Sequence, residues 1–382
     1  MTESQKFLLA LVRMALWGRE EPLAEYKPNW HEVLLLAEAQ TLLGLVAQAV
    51  PMLPENLRPD PQSRIKLHSL AMKIICSHSL LDRKVADIKS RMDSYGMHTV
   101  LLKGQGTALN YPNPLSRQCG DIDMYVGEEN FPQTLRLLNP SSDKDAKEYR
   151  HLKHFNIEED GVDIEIHRIA DIIPGFKRDR LFQQWTKANL EGESVRKVEI
   201  GGTSVNLPSA DFDALYIMNH AWHHFMNGGV GLRQLCDWTM HLHRFHNELD
   251  VDALRSNLHD FGLARAWQIL ASVAVRYLGL PQNECPLYND AYASKAEKVL
   301  DVIWSEGNFG HYSSAKKRPR PKGYFSGKLH SFRGKTSRIT RIISISPVDV
   351  LYSWAFYSIN GILNVFQRCC GVFLSGRKND KL

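Results

Sequence analysis

Val100-Leu101-Leu102-Lys103-Gly104-Gln105-Gly106-Thr107-Ala108-Leu109 is closely followed by Arg117-Gln118-Cys119-Gly120-Asp121-Ile122-Asp123-Met124-Tyr125-Val126. His98 to Leu102 is a short apolar run of the kind a buried strand makes. Lys103 to Thr107 breaks it with a glycine turn, and Thr107 is placed to cap a helix that Ala108-Leu109 begin. A strand, a glycine turn and a helix N-terminus together offer backbone N–H groups to a phosphate. Side chains alternate along a strand, so Asp121 and Asp123 share one face and Ile122 and Met124 the other. Two carboxylates this close repel, and water or a divalent cation must neutralise them. Mg²⁺ takes carboxylate oxygens together with substrate phosphates. An isolated Asp-x-Asp most often marks a solvated strand edge; the glycine turn upstream shifts the weight towards a site that handles nucleotide phosphates.

A second strand pattern lies further on, in Gly161-Val162-Asp163-Ile164-Glu165-Ile166-His167, after an Asp160-Gly161 turn signal. Val162, Ile164 and Ile166 form one face, and Asp163, Glu165 and His167 the other. A polar strand face opposite a fully apolar one meets either solvent or a site. Beside Asp121 and Asp123, Glu165 would be the third carboxylate, with Asp163 as the alternative on the same face. His167 would orient a carboxylate, touch substrate or make a structural hydrogen bond.

These residues resemble the DNA polymerase β-type nucleotidyltransferase superfamily, and in detail a bacterial branch known as uncharacterised nucleotidyltransferase family proteins. Lys103-Gly104 after a strand, Arg117-x-x-Gly120-Asp121-Ile122-Asp123 and Glu165-Ile166-His167 carry the likeness. The family usually has Asp where this chain has Glu165, one methylene longer. The resemblance implies an α+β fold: a small mixed β-sheet nucleotidyltransferase core flanked by helical N-terminal and C-terminal lobes. It implies catalytic and metal-binding roles for Asp121, Asp123 and Glu165, with two Mg²⁺ (or Mn²⁺) ions. It also implies nucleotide contacts from Lys103, Gly104, Gln105, Arg117 and Gly120. The implied reaction moves NMP, in first place AMP from ATP, to an unknown acceptor hydroxyl. The family's His-rich helix, glycine break and Gly-Leu-Arg…Asp helix would place His223, Arg233 and Asp237 with His167 on the substrate side. For Arg233 and Asp237 an i, i+4 helix pair is the competing reading.

The 382 residues, 43% hydrophobic and 23% charged, suit a globular chain of more than one lobe. We expect a helical lobe over 1–96, an α/β core over 97–207, a helical lobe closing the cleft over 208–312, and a basic loop with an apolar helix over 313–382. His31 to Val50 reads as one helical run capped by Asn29, Asn139 to Lys147 as a polar loop, and Val195 to Leu207 as a hairpin. Six scattered cysteines without a Cys-x-x-Cys pair suit a reduced cytoplasm. Met1 to Lys6 runs into a helical pattern with no secretory signal.

The net charge of +5 hides ten Lys or Arg and no acid between Ala315 and Arg341, which leaves the rest about −5 (5 − 10). Such a run is either a solvated loop or a surface for an anionic partner. Val350 to Gln367 holds eighteen residues without a charge. Its serines and asparagines favour a buried or interfacial helix over a span, and the basic run before it suits an anionic membrane surface. The expected location is the cytoplasm, with the inner-membrane surface as a further expectation. No aromatic-laced basic module favours nucleic acid. A catalytically inactive nucleotide-binding or regulatory protein on the same scaffold is the alternative. A zinc site on His220 and His224, four residues apart, would need a further ligand.

Overall fold

The computed structural model describes residues 1–138, 153–308 and 323–376. The Asn139 to Lys147 loop and the first part of the basic run lie outside them.

Four helices open the chain: α1 (Glu3–Trp17), α2 (Trp30–Ala39), α3 (Leu43–Ala49) and α4 (Pro61–Ser94). Their starts follow local capping chemistry. Thr2 and Gln5 form a reciprocal capping box on α1. Asn29 accepts from the Glu32 amide at 3.3 Å, as the sequence led us to expect. Asp60 caps α4 ahead of Pro61, which lacks an N–H to satisfy. The expected single helix over 31–50 is two helices. Gln40 leaves the helical path to reach the Leu232 amide (2.9 Å) and the Ile303 carbonyl (3.0 Å), and Thr41 follows with φ of 59°.

The centre is a four-stranded mixed sheet of β1 (Val100–Leu102), β2 (Asp121–Tyr125), β3 (His154–Glu159) and β4 (Val162–His167), in the order β1-β2-β4-β3. Only β2 and β4 run parallel, which places Asp121 opposite Asp163, Asp123 opposite Glu165 and Tyr125 opposite His167. The alternation read from the sequence holds on both strands. Ile122, Met124, Ile164 and Ile166 are buried against Leu81, Val85, Ile88 and Met92 of the second half of α4. Burying such a side chain contributes roughly 1.5–3 kcal/mol, so this face fixes the register, and a one-residue slip would turn the carboxylates into the core. Short α5 (Gly104–Ala108) links β1 towards β2, and α6 (Gly127–Leu138) follows β2. Thr107 therefore does not cap a helix starting at Ala108: it lies within α5, which begins at Gly104 and ends at Ala108. After α7 (Phe176–Leu190), the expected hairpin appears as β5 (Arg196–Ile200) and β6 (Thr203–Leu207), a separate two-stranded sheet.

Helices then return: α8 (Ala210–Asn227), α9 (Leu232–Phe245), α10 (Val251–Asp260), α11 (Ala264–Tyr277) and α12 (Ala293–Glu306). One hydrophobic core unites them with α1–α3 and the start of α4. The second half of the basic run is not loop but helix α13 (Tyr324–Ile342), and α14 (Pro347–Gly376) follows it. Arg338 of α13 is tied to Glu306 and to the carbonyls of Phe225 and Met226. Among the described residues no helix is long and apolar enough to cross a membrane.

Candidate active site

The polar face of β2 and β4 opens into a cleft of about 180 Å³ roofed by α8 and α9. Asp123 is its most enclosed carboxylate. Lys103 Nζ lies 3.2 Å from Oδ2, and His167 Nε2 lies 2.9 Å from Oδ1. Burial alone would raise the Asp123 pKa, but the Lys103 ammonium and the His167 ring overcome it and hold the carboxyl well below its ordinary value. His167 is likewise buried, yet its bonds to Asp123 and Glu165 raise its pKa. Its Nδ1 donates to the Ile169 carbonyl at 3.3 Å, so both ring nitrogens act as donors.

Asp121, one pleat away, differs. It has no hydrogen bond or ion pair among the described residues, and burial and the charge of Asp123 raise its pKa. Glu165 lies 3.3 Å from His167 Nε2. Burial works against its charge, but His167 outweighs burial and lowers its pKa. Asp163 is exposed and does not line the cleft, so the cleft takes Glu165 from this strand. Three carboxylates from parallel neighbours face one cavity, oxygen donors of the type a hard divalent cation takes. Asp121 has no hydrogen bond or ion pair among the described residues, but these three are not the residues whose ligand atoms converge within 4.8 Å.

Lys103 sits at φ 51° and ψ −136°, a conformation that costs a non-glycine residue about 1–3 kcal/mol. Strain of this kind persists where the surroundings over-determine it. Here the ammonium is fixed by Asp123, by His220 Nε2 at 3.2 Å and by the Tyr216 ring at 5.9 Å. Gly104 follows at φ 47° and keeps the backbone bare where it borders the cleft. Gln105 and Gly120 do not line the cleft; Gln105 is buried with both amide atoms unpartnered.

Arg117 lines the cleft, but a buried ion pair competes with the expected phosphate contact. Arg117 is buried and forks onto Asp237, with Nε to Oδ1 and Nη2 to Oδ2 both at 2.8 Å. Tyr111 donates to the same carboxylate at 2.7 Å. These donors are spent on holding the 114–120 turn to α9. Arg233 lies 3.6 Å from Asp237, lines the cleft and keeps a buried Nε with no partner. Two guanidiniums share one carboxylate, so one positive charge is left for the cleft, and Arg233 is the better placed to present it.

Sequence reading missed a further buried carboxylate, Asp171. It gathers Lys153 Nζ (2.9 Å), His223 Nδ1 (3.1 Å) and Asn219 Nδ2 (3.2 Å). Burial would raise its pKa, but Lys153 and His223 hold it well below the ordinary value. His223 thereby faces the cleft with a fixed ring, and His167, Arg233 and Asp237 line the same cavity. His220 and His224 also line it. Burial and Lys103 hold the His220 pKa well below its ordinary value, and burial with His223 pushes His224 down to about 3. The residues that converge as metal-capable ligands among those described are His154, Glu165 and His167, not His220 and His224. His154 was missed because a single histidine on an alternating strand carries no motif.

The model of a family described as uncharacterised nucleotidyltransferase matches residues 26–279. No curated protein matches. Among solved structures, an antigenic nucleotidyltransferase-like protein from Paracoccidioides brasiliensis is similar at 14% identity, over 53% of this chain and 92% of that one, with a TM-score of 0.29. A likeness at that level carries no argument about the site.

Proposed function

The chain belongs to the uncharacterised nucleotidyltransferase family, and from that premise we propose that it is a divalent-metal-dependent enzyme moving NMP, in first place AMP from ATP, to an acceptor hydroxyl. One observation carries the reading. Asp121, a carboxylate without a partner, stands beside Asp123 and Glu165 in a cleft whose cations include Lys103 and Arg233.

Asp121, Asp123 and Glu165 would hold the cation or cations, whose chemistry is to neutralise the triphosphate and make the acceptor hydroxyl more acidic. The chain's own residues do the rest. Lys103 and Arg233 offset charge on the non-bridging oxygens, Arg233 being able to bind bidentately. Lys103-Gly104 lets the backbone come close to phosphate. Asp171 holds His223 in one orientation at the wall of the cleft. The acceptor hydroxyl releases its proton to solvent as its oxygen bonds to the α-phosphorus, the α–β phosphoanhydride bond breaks and pyrophosphate leaves. Positioning and electrostatics supply the rate.

The alternative, a nucleotide-binding protein without turnover, is favoured by a different fact: Lys103 and His167 already neutralise Asp123. Calorimetric titration of each NTP with Mg²⁺, followed by analysis for pyrophosphate, separates the two. Mg²⁺-dependent binding with pyrophosphate release supports transfer, and binding without release supports the scaffold. Binding that survives in Asp121→Asn would sink the site assignment for both.

A further inference from the structure

We propose that His154, Glu165 and His167 form a distinct, nitrogen-rich site for one first-row transition-metal ion, adjoining the oxygen donors of Asp121 and Asp123 and selective for Zn²⁺ or Co²⁺ over Mg²⁺. The inference goes beyond nucleotidyl transfer and stands whether or not the protein turns over NTP.

One ligand atom from each residue can be chosen so that all three lie within 4.8 Å of one another. The backbone sets this spacing. His154 and His167 are direct partners on antiparallel β3 and β4, and their rings are 5.0 Å apart. Glu165 lies two residues before His167 and so on the same strand face. Its Oε2 faces both imidazoles, 3.5 Å from His154 Nδ1 and 3.3 Å from His167 Nε2. Asn156 Nδ2 donates to its other oxygen, Oε1, at 3.5 Å, which leaves Oε2 turned to the rings.

Two further features suit a ligand set. His154 Nδ1 is buried and has no hydrogen-bond partner among the described residues, an arrangement that is costly unless something binds there. His167 Nδ1 donates to the Ile169 carbonyl. Metal-ligating histidines commonly make this bond through their second nitrogen, which fixes the ring; Nε2, which here donates to Asp123 Oδ1 at 2.9 Å, would give up that proton and bond to take the ion. Two imidazoles and one carboxylate suit Zn²⁺, Co²⁺, Fe²⁺ or Mn²⁺, whereas Mg²⁺ prefers oxygen and water alone. Glu165 faces both donor sets and would join them.

The test is titration of the full chain with Co²⁺, read by its visible absorption, and with Zn²⁺ against a chromophoric chelator. We expect one ion per chain, a Co²⁺ spectrum with nitrogen ligation, and Zn²⁺ held despite excess Mg²⁺. His154→Gln should weaken Zn²⁺ at least about tenfold, the scale on which even outer-shell partners act. Glu165→Gln provides a second variant in case the first perturbs β3, with circular dichroism reporting the fold. Asp121→Asn should leave the Co²⁺ spectrum in place. Loss of Co²⁺ in Asp121→Asn with retention in His154→Gln would overturn the site while supporting the carboxylate assignment. Absence of binding in the folded wild type, or several ions per chain untouched by His154→Gln, would also overturn it.

Discussion

Neutralising Asp121 and neutralising Asp123 should have opposite consequences for stability. Asp121→Asn removes a carboxylate that has no partner and sits against another negative charge, so unfolding in urea should show no loss, while Mg²⁺-dependent NTP binding disappears. Asp123→Asn strands the buried His167 and the Lys103 ammonium. Breaking a buried pair on one side costs about 3–5 kcal/mol, and partial exposure of Lys103 puts the expectation at the lower end. Equal stabilities for the two variants would contradict the pairing. Acid should unfold the protein through Asp123 and Asp171, whose pKa values are held below the ordinary 3.8. For depressed carboxylates the stabilisation is present above the unfolded-state value and is lost as pH falls through the lower folded value. Stability measured from pH 5 downwards should therefore fall below about pH 4, and less steeply in Asp171→Asn.

Elements meet at two points that local pattern did not reveal. α3 packs against the turn before Arg117 so closely that a Cβ on Gly44 would lie 2.1 Å from the Ser116 carbonyl oxygen. Backbone must move to admit it, so Gly44→Ala should cost about 1–3 kcal/mol, the range for overpacking. Weaker NTP binding should accompany it, since that turn leads into Asp121. The second point is Arg117 on Asp237 of α9. Asp237→Ala leaves a buried guanidinium uncompensated and should cost about 3–5 kcal/mol; a change below about 1 kcal/mol in chemical denaturation would show the pair to be dispensable. The sheet itself was legible, because strict alternation on β2 and β4 and an Asp-Gly turn are local signals. Lys153, His154 and Asp171 were not. Lys153 and Asp171 lie just beyond opposite ends of a hairpin, and only β3–β4 pairing, continued by Arg168 and Ile169 amides on the Lys153 carbonyl, makes them neighbours.

At the scale of the whole molecule, helices from both ends of the chain share one core, with Gln40 bonded across it to Leu232 and Ile303. α14 runs along one side of that core, with Val350 set into it. Val348, Leu351, Tyr352, Ile359 and Ile362 recur at helical spacing and are exposed, while Val350 and Ser353 turn inward. Exposed Phe176 packs on Phe356 of the same helix, and Arg178 lies over the Tyr352 ring. An apolar stripe with a ten-cation run before it suits an anionic lipid surface. Sedimentation with vesicles containing phosphatidylserine should carry the protein down at low salt, less at high salt, and several-fold less in Ile359→Asp/Ile362→Asp. Equal recovery with neutral vesicles would remove charge from the explanation.

The sequence by itself determined what depends on neighbours along the chain. Capping residues started helices, alternation set two strand faces, and the Asp121, Asp123 and Glu165 carboxylates fell on the polar one. Only the tertiary structure decided which charges meet. Arg117 and Arg233 are both basic residues near an acid, and nothing local tells them apart. The crossing of α9 over the 114–120 turn gives Asp237 to Arg117 and leaves Arg233 towards the cleft. The same holds for Lys103, whose strained backbone is sustained by contacts more than a hundred residues away on α8. Local propensity reaches about one turn or one pleat, and the electrostatics of a buried site are set by distances across the fold.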